Sequence, residues 1–294
     1  MKIGLVLGGG GARGAYQIGV WKALRELEID KYINIISGAS IGALNAMLYT
    51  QGDIQLADKV WNSVTTEKIL PTDSINLLKR SFLVSIGSKN MDFIKRYIPK
   101  VLDGGNISRS GLENIIDETL DFDLIKSKGM KIYIVCTEIP KIKARYFLIN
   151  KESNERIKKI LHASAAIPMI FESENIDGID YIDGGIADNV PIEPVYYEKC
   201  DLIIVVGLMR GYRVDRNIYS ESQILEIIPS EMEEGFIDGA LNFTEENSKQ
   251  RMEVGYNDTI NQIKPIINLL TYINNKTKKP SIIESFKDLF KKVQ

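Results

Sequence analysis

The chain has 294 residues, enough for one large domain or two small ones. With 37 Lys+Arg against 39 Asp+Glu, the net charge is -2, and no basic stripe interleaves with aromatics, which argues against nucleic acid as the main partner. Only two cysteines occur, Cys136 and Cys200, far apart in apolar runs, so neither a disulfide framework nor a zinc site is indicated.

Residues 2–7 read as a short buried strand. Lys2 followed by Ile3-Gly4-Leu5-Val6-Leu7 resembles the start of a signal peptide. The run is too short for that and passes straight into glycines. No later stretch approaches ~18 uninterrupted apolar residues, so no membrane span is expected and a cytoplasmic location is the default. Gly8 to Gly14 forms a glycine-rich turn, and Ala15 to Glu28 carries Tyr16, Val20, Leu24 and Leu27 at helical spacing.

A second apolar run, Ile33 to Ser37, turns sharply at Gly38-Ala39-Ser40-Ile41-Gly42 and leaves as a small apolar helix, Ala43 to Tyr49. The first fifty residues therefore read as a βαβ unit followed by G-x-S-x-G and a helix. A parallel sheet is implied. G-x-S-x-G is common by chance. Between a strand and a helix it becomes a strained turn that exposes a serine hydroxyl, with a helix N-terminus behind it. The flanking Gly38 and Gly42 give the backbone and the neighbouring helix room.

Residues 52–128 are less regular. Lys79–Ile86 and Met91–Val101 read as helices or connectors, and Ser110–Leu120 as a helix with Ser110 as a candidate N-cap. The section fits either a cap over a site or an ordinary helical layer. Strands follow at Lys131–Thr137 and Ala144–Ile149, then a helix at Glu155–Ser164 that stops before Pro168. Tyr181-Ile182-Asp183 is a short strand entering Gly184-Gly185, and Asp201–Leu208 is another buried strand. Beyond Tyr256 come an apolar helix at Ile263–Ile273, a basic linker at Asn274–Pro280 and an amphipathic segment at Ser281–Val293. A domain over 1–260 with a helical extension over 261–294 is the expected division, the extension either docked or facing a membrane.

Gly9-x-Gly11-x-x-Gly14 matches the dinucleotide fingerprint, so an oxidoreductase is one candidate. That reading needs a carboxylate at the end of the second strand, where the chain instead has Ser37-Gly38-Ala39-Ser40. A second use fits better. Consecutive glycine N–H groups at a helix N-terminus can converge on an oxyanion, and adjacent parallel strands would set this loop beside Ser40. The base has two candidates. His162, the single histidine, lies in an apolar helical stretch. Asp183 sits at a strand end before two glycines and could take the serine proton directly.

Gly9-Gly10-Gly11-Ala12-Arg13-Gly14, Gly38-Ala39-Ser40-Ile41-Gly42, Ala163-Ser164-Ala165-Ala166-Ile167-Pro168 through Phe171, Asp183-Gly184-Gly185 and Asp188-Asn189-Val190-Pro191 occur in this order. Together they resemble the patatin-like phospholipase family, in a bacterial member, over roughly residues 2–210. Gly255-Tyr256 resembles the end of that domain. The resemblance implies a three-layer α/β/α sandwich with a mainly parallel central sheet and acyl-ester hydrolysis on lipids by a Ser–Asp dyad. It implies Ser40 as nucleophile, Asp183 as base, the backbone of Gly9, Gly10 and Gly11 as oxyanion hole, and Arg13 ordering that loop. Gly14, Gly38, Gly42, Gly184 and Gly185 support the motifs, and His162 matches no catalytic position. No metal or organic cofactor is expected. The expected partner is a phospholipid or other acyl-ester lipid, with peripheral membrane contact and no nucleic acid. A membrane-binding scaffold without turnover is the third candidate.

Overall fold

The computed structural model describes residues 2–69, 108–168, 170–233 and 235–277. The expected segments Lys79–Ile86, Met91–Val101 and Ser281–Val293 lie outside them. An eight-stranded sheet forms the centre, in the order β5-β6-β3-β2-β1-β7-β8, with β4 also pairing β3. The strands are β1 (Ile3–Leu7), β2 (Ile33–Ala39), β3 (Lys131–Ile139), β4 (Lys143–Leu148), β5 (Glu174–Ile176), β6 (Ile179–Asp183), β7 (Leu202–Val206) and β8 (Gln223–Ile227). β3, β2, β1, β7 and β8 run parallel, and β4, β5 and β6 pair antiparallel at one side.

The parallel strands read as continuous apolar runs because both of their faces are covered. Leu5 and Leu7 of β1 and Ile204 and Val206 of β7 point into the larger core. Val6, Ile203 and Val205 point into a smaller core on the other face. The larger core is packed by helices α1 (Ala15–Glu26), α2 (Ile41–Gln51), α3 (Ile54–Ser63), α4 (Ser110–Thr119), α5 (Phe122–Ser127) and α6 (Asn154–Ser164). The smaller core is covered by Val190, Ile192 and Val195, from the turn of helix Glu193–Tyr197 and the chain leading into it, and by Val214. The result is the expected sandwich of a central sheet between helical layers, thick on one face and thin on the other.

α7 (Glu245–Thr277) lies along α1. The two helices touch backbone to backbone: a Cβ at Gly19 would stand 1.9 Å from Met252 O, and one at Gly255 would stand 2.1 Å from Tyr16 O. α7 begins well before the expected Ile263, and the expected boundary at 260/261 falls inside it. Its first half shows little apolar periodicity because Met252 is buried there beside Gly255, Arg251 and the small hydroxyl residues Ser248 and Thr259. α4 starts as expected at Ser110, but the hydroxyl of Ser108 accepts the Ser110 N–H at 3.2 Å. α6 is capped by Ser153, which accepts from the Arg156 N–H.

Candidate active site

β2 pairs with β3 only as far as Ala39 opposite Val135. The next residue of β3, Cys136, pairs with Asp183 of β6. β4 occupies the other edge of β3 at both positions, so β6 takes over the edge that β2 leaves. This handover puts Asp183 beside Ser40, the first residue after β2.

Ser40 sits at φ 53, ψ -124, a backbone conformation that strains a non-glycine residue and aims its side chain off the sheet. The turn is tight: a Cβ at Gly38 would stand 2.4 Å from Gly42 O, and one at Gly42 would stand 2.2 Å from Leu7 O. The Ser40 hydroxyl donates to Asp183 Oδ2 at 2.6 Å. Asp183 Oδ1 accepts the Gly185 N–H at 2.8 Å, and Thr137 Oγ1 donates to the Asp183 carbonyl at 2.7 Å. Both residues of the pair are buried. Burial pushes the Asp183 carboxyl up to about 6, against the opposing pull of the hydrogen bonds from Ser40 and Gly185. That range suits a general base at neutral pH.

Ser164, on α6, was not singled out for a role in the sequence. Its Oγ accepts the Ser40 N–H at 3.0 Å and donates to Val135 O at 2.8 Å, fixing the strained residue to the sheet. His162, two positions earlier on α6, is buried and does not meet Ser40. Its Nδ1 lies 4.0 Å from Glu113 Oε1, and its Nε2 has no hydrogen-bond partner among the described residues. Burial lowers its pKa.

The glycine loop stands where strand adjacency required. A Cβ at Gly9 would lie 3.2 Å from Ser40 Cβ. One expectation changes: the Gly9 N–H donates to Asn189 O at 3.0 Å and is not available to an oxyanion. The physical reason is that Gly9 continues the backbone pairing of the loop with its neighbours, as Gly8 does with Val206 O at 3.0 Å. Gly10 and Gly11 instead open a 3-10 turn, whose first N–H groups lack partners inside the turn. Gly11 has φ +58 and packs so closely on Ala240 that a Cβ would stand 2.1 Å from its carbonyl oxygen.

Arg13 is buried and donates to the carbonyls of Glu233 at 2.9 Å and Gly235 at 2.8 Å, tying the loop to the segment before α7. Gly14 is packed against Ile41, and Gly184 against Val135. Beneath the loop, Gln17 Nε2 donates to Gly8 O, and Asn45 Nδ2 donates to Gly14 O and Gln17 Oε1.

Ser40 opens onto an apolar cavity of about 60 Å³, walled by residues including Ile41, Leu44, Leu112, Phe171 and Leu241. A second cavity of about 50 Å³ shares Ile41, Leu44, Ile69, Leu112 and Phe243 with it and reaches Leu48 on α2 and Leu120 after α4. The two adjoin along those shared residues as an apolar passage beginning at Ser40. No helix among the described residues is long and apolar enough to cross a membrane.

The site thus brings together a buried Ser–Asp pair, a glycine turn beside it and apolar cavities at one end of an α/β sheet. Residues 5–196 match the family model described as patatin-like phospholipase. The chain belongs to that family. It is 28% identical over 210 residues to an uncharacterized NTE family protein of Mycobacterium bovis, covering 70% of this chain and 49% of that protein. A 50-residue stretch is 61% identical to a lysophospholipase of Aspergillus terreus, covering 17% of this chain and 3% of that one. The chain thus spans about half the length of the first of these relatives and a small part of the second. In fold it is similar to VipD from Legionella pneumophila, with TM-score 0.54 and 18% identity over 88% of this chain and 66% of that one.

Proposed function

We propose that the chain hydrolyses carboxylic esters of lipids through a Ser40–Asp183 dyad. The observation that carries this reading is the 2.6 Å hydrogen bond from Ser40 Oγ to Asp183 Oδ2 at the mouth of the apolar passage. Ser40 Oγ attacks the ester carbonyl carbon as its proton passes to Asp183 Oδ2. The N–H groups of Gly10 and Gly11 take the oxyanion, with Arg13 holding their loop in register with the segment before α7. The carbon–oxygen bond to the alcohol then breaks, and the protonated Asp183 returns the proton to the leaving oxygen. Water, deprotonated by Asp183, attacks the acyl-serine; the bond to Ser40 Oγ breaks, Asp183 returns the proton to that oxygen, and the carboxylic acid is released.

The passage supports an acyl-lipid substrate. A long acyl chain buried there gains roughly 0.8 kcal/mol per methylene, whereas the lining offers almost nothing to a polar substituent. Phospholipids, lysophospholipids and other acyl-ester lipids all present such a chain, and each requires peripheral contact with a lipid surface. A fluorophosphonate probe tests the reading. It should label the wild-type chain at Ser40 and fail on Ser40→Ala, while hydrolysis of a phosphatidylcholine mixture releases fatty acid only with the wild type. Labelling elsewhere, or fatty acid release by folded Ser40→Ala, would sink it.

A further inference from the structure

The connection from β7 to β8 leaves the sheet at the same edge as the glycine loop, because Val206 is the register partner of Leu7. Its first residues touch that loop. A Cβ at Gly10 would stand 3.0 Å from Leu208 Cδ1, just as one at Gly9 would meet Ser40. Two glycines therefore separate the nucleophile from Leu208.

Beyond Leu208 the chain turns outward and exposes apolar side chains. Met209 is 48% exposed and Ile218 is 62% exposed. This exposure is not a sign of a loose loop. Val214 is buried in the smaller core, with Tyr212 and Tyr219 packed against it, and the Val214 N–H donates to Glu226. Between the two apolar tips stand Arg210, Arg213 and Arg216 against the single acid Asp215, in a chain whose net charge is -2. Arg216 lies 3.5 Å from Glu226. Arg210 and Arg213 are exposed and form no ion pair among the described residues. Cations beside exposed aliphatics on an anchored loop are complementary to one kind of surface, an interface that is negatively charged outside and oily beneath.

We propose that residues 209–218 seat the chain on an anionic lipid bilayer, with Met209 and Ile218 entering the headgroup boundary and Arg210 and Arg213 facing lipid phosphates. The proposal rests on reading Ser40 as a lipid hydrolase, since it explains how an ester would be delivered to a site one loop away. The charge complementarity and the contact with the catalytic loop favour a bilayer over a protein partner.

Vesicle sedimentation tests this directly, using the full chain carrying Ser40→Ala so that lipid is not consumed. The parent should bind vesicles of phosphatidylcholine with phosphatidylglycerol, bind pure phosphatidylcholine weakly, and lose binding as salt rises from about 50 to about 500 mM. Each arginine replaced should weaken anionic binding about fivefold or more. Arg210→Glu with Arg213→Glu should therefore weaken it more than tenfold. Met209→Ser with Ile218→Ser should weaken it while leaving the salt dependence in place. With Ser40 intact, both double variants should turn over a soluble short-chain ester as the wild type does. Millimolar inorganic phosphate should not compete, since the surface reads a bilayer rather than a free anion.

Equal anionic binding by the charge-reversed variant, or no anionic binding by the parent, overturns the proposal even if the soluble ester is hydrolysed. Capture of a protein partner by the loop without vesicle binding also overturns it. Vesicle binding by a chain that hydrolyses no ester instead sinks the hydrolase reading and leaves the surface standing. Single Arg210→Glu provides the same comparison if a double variant fails to fold.

Discussion

The Ser40 hydroxyl and the Asp183 carboxylate meet although 143 positions separate them, because β6 takes the edge of β3 that β2 gives up. The carboxylate is held in a dry place by that handover, and its desolvation has a consequence for stability as well as chemistry. Its pKa is raised from 3.8 to about 6 on folding. The native state thus binds more protons than the unfolded state between those values, and stability falls as pH rises through that window. The full shift is worth on the order of 3 kcal/mol. Asp183→Asn should lack this dependence. Its melting temperature relative to wild type should climb from pH 4 to pH 6 and level off above, while ester hydrolysis disappears. A constant difference across that range would show that Asp183 is not held as described. In the wild type, kcat/KM should rise with pH through about 6 as the base ionises.

The strain at Ser40 can be read separately from its chemistry. Ser40→Gly and Ser40→Ala both remove the hydroxyl and both should be inactive. At φ 53 only glycine is free of the Cβ penalty. Ser40→Gly should therefore be the more stable of the two by about 1 kcal/mol, measured by chemical denaturation. Equal stability would mean the turn relaxes once the hydroxyl is gone.

Leu44 faces both cavities from α2. Leu44→Trp should block the passage, lowering hydrolysis of long-chain esters at least tenfold relative to short-chain ones. Overpacking at this site should cost about 1–3 kcal/mol of stability, which circular dichroism melting would register. Unchanged chain-length preference would remove the passage as the acyl site.

His162→Ala tests the alternative base. The imidazole is buried between helices and makes no contact with Ser40. The variant should keep turnover within about threefold of wild type and preserve the acid limb near 6 set by Asp183. An inactive but folded His162→Ala would restore a histidine mechanism.

Much of this arrangement was legible locally. The βαβ start and the G-x-S-x-G turn could be read because their glycines, apolar runs and strand–turn–helix order are contiguous in the chain. The pairing of Ser40 with Asp183 rested on a resemblance, since no local pattern states which strand will neighbour which. Three details were invisible for specific reasons. Gly9 lost its donor role to a backbone partner at Asn189, a contact 180 positions away. Ser164 stands in a motif block with nothing in its spacing to show that it holds the Ser40 backbone. The first half of α7 escaped because glycine, small hydroxyls, Arg251 and a lone Met252, not a leucine stripe, form its buried face.

The clamp from Arg13 to Glu233 and Gly235, with Ala240 pressed on Gly11, has a further consequence. The family match ends at residue 196, yet one wall of the cavity beside the nucleophile comes from residues 240–243. Ser40 and Asp183 thus come from one stretch of chain, and part of the cavity wall beside them from another. Sequence change after residue 196 can reshape this cavity without touching Ser40 or Asp183, so chains sharing every motif can still differ in what the cavity admits.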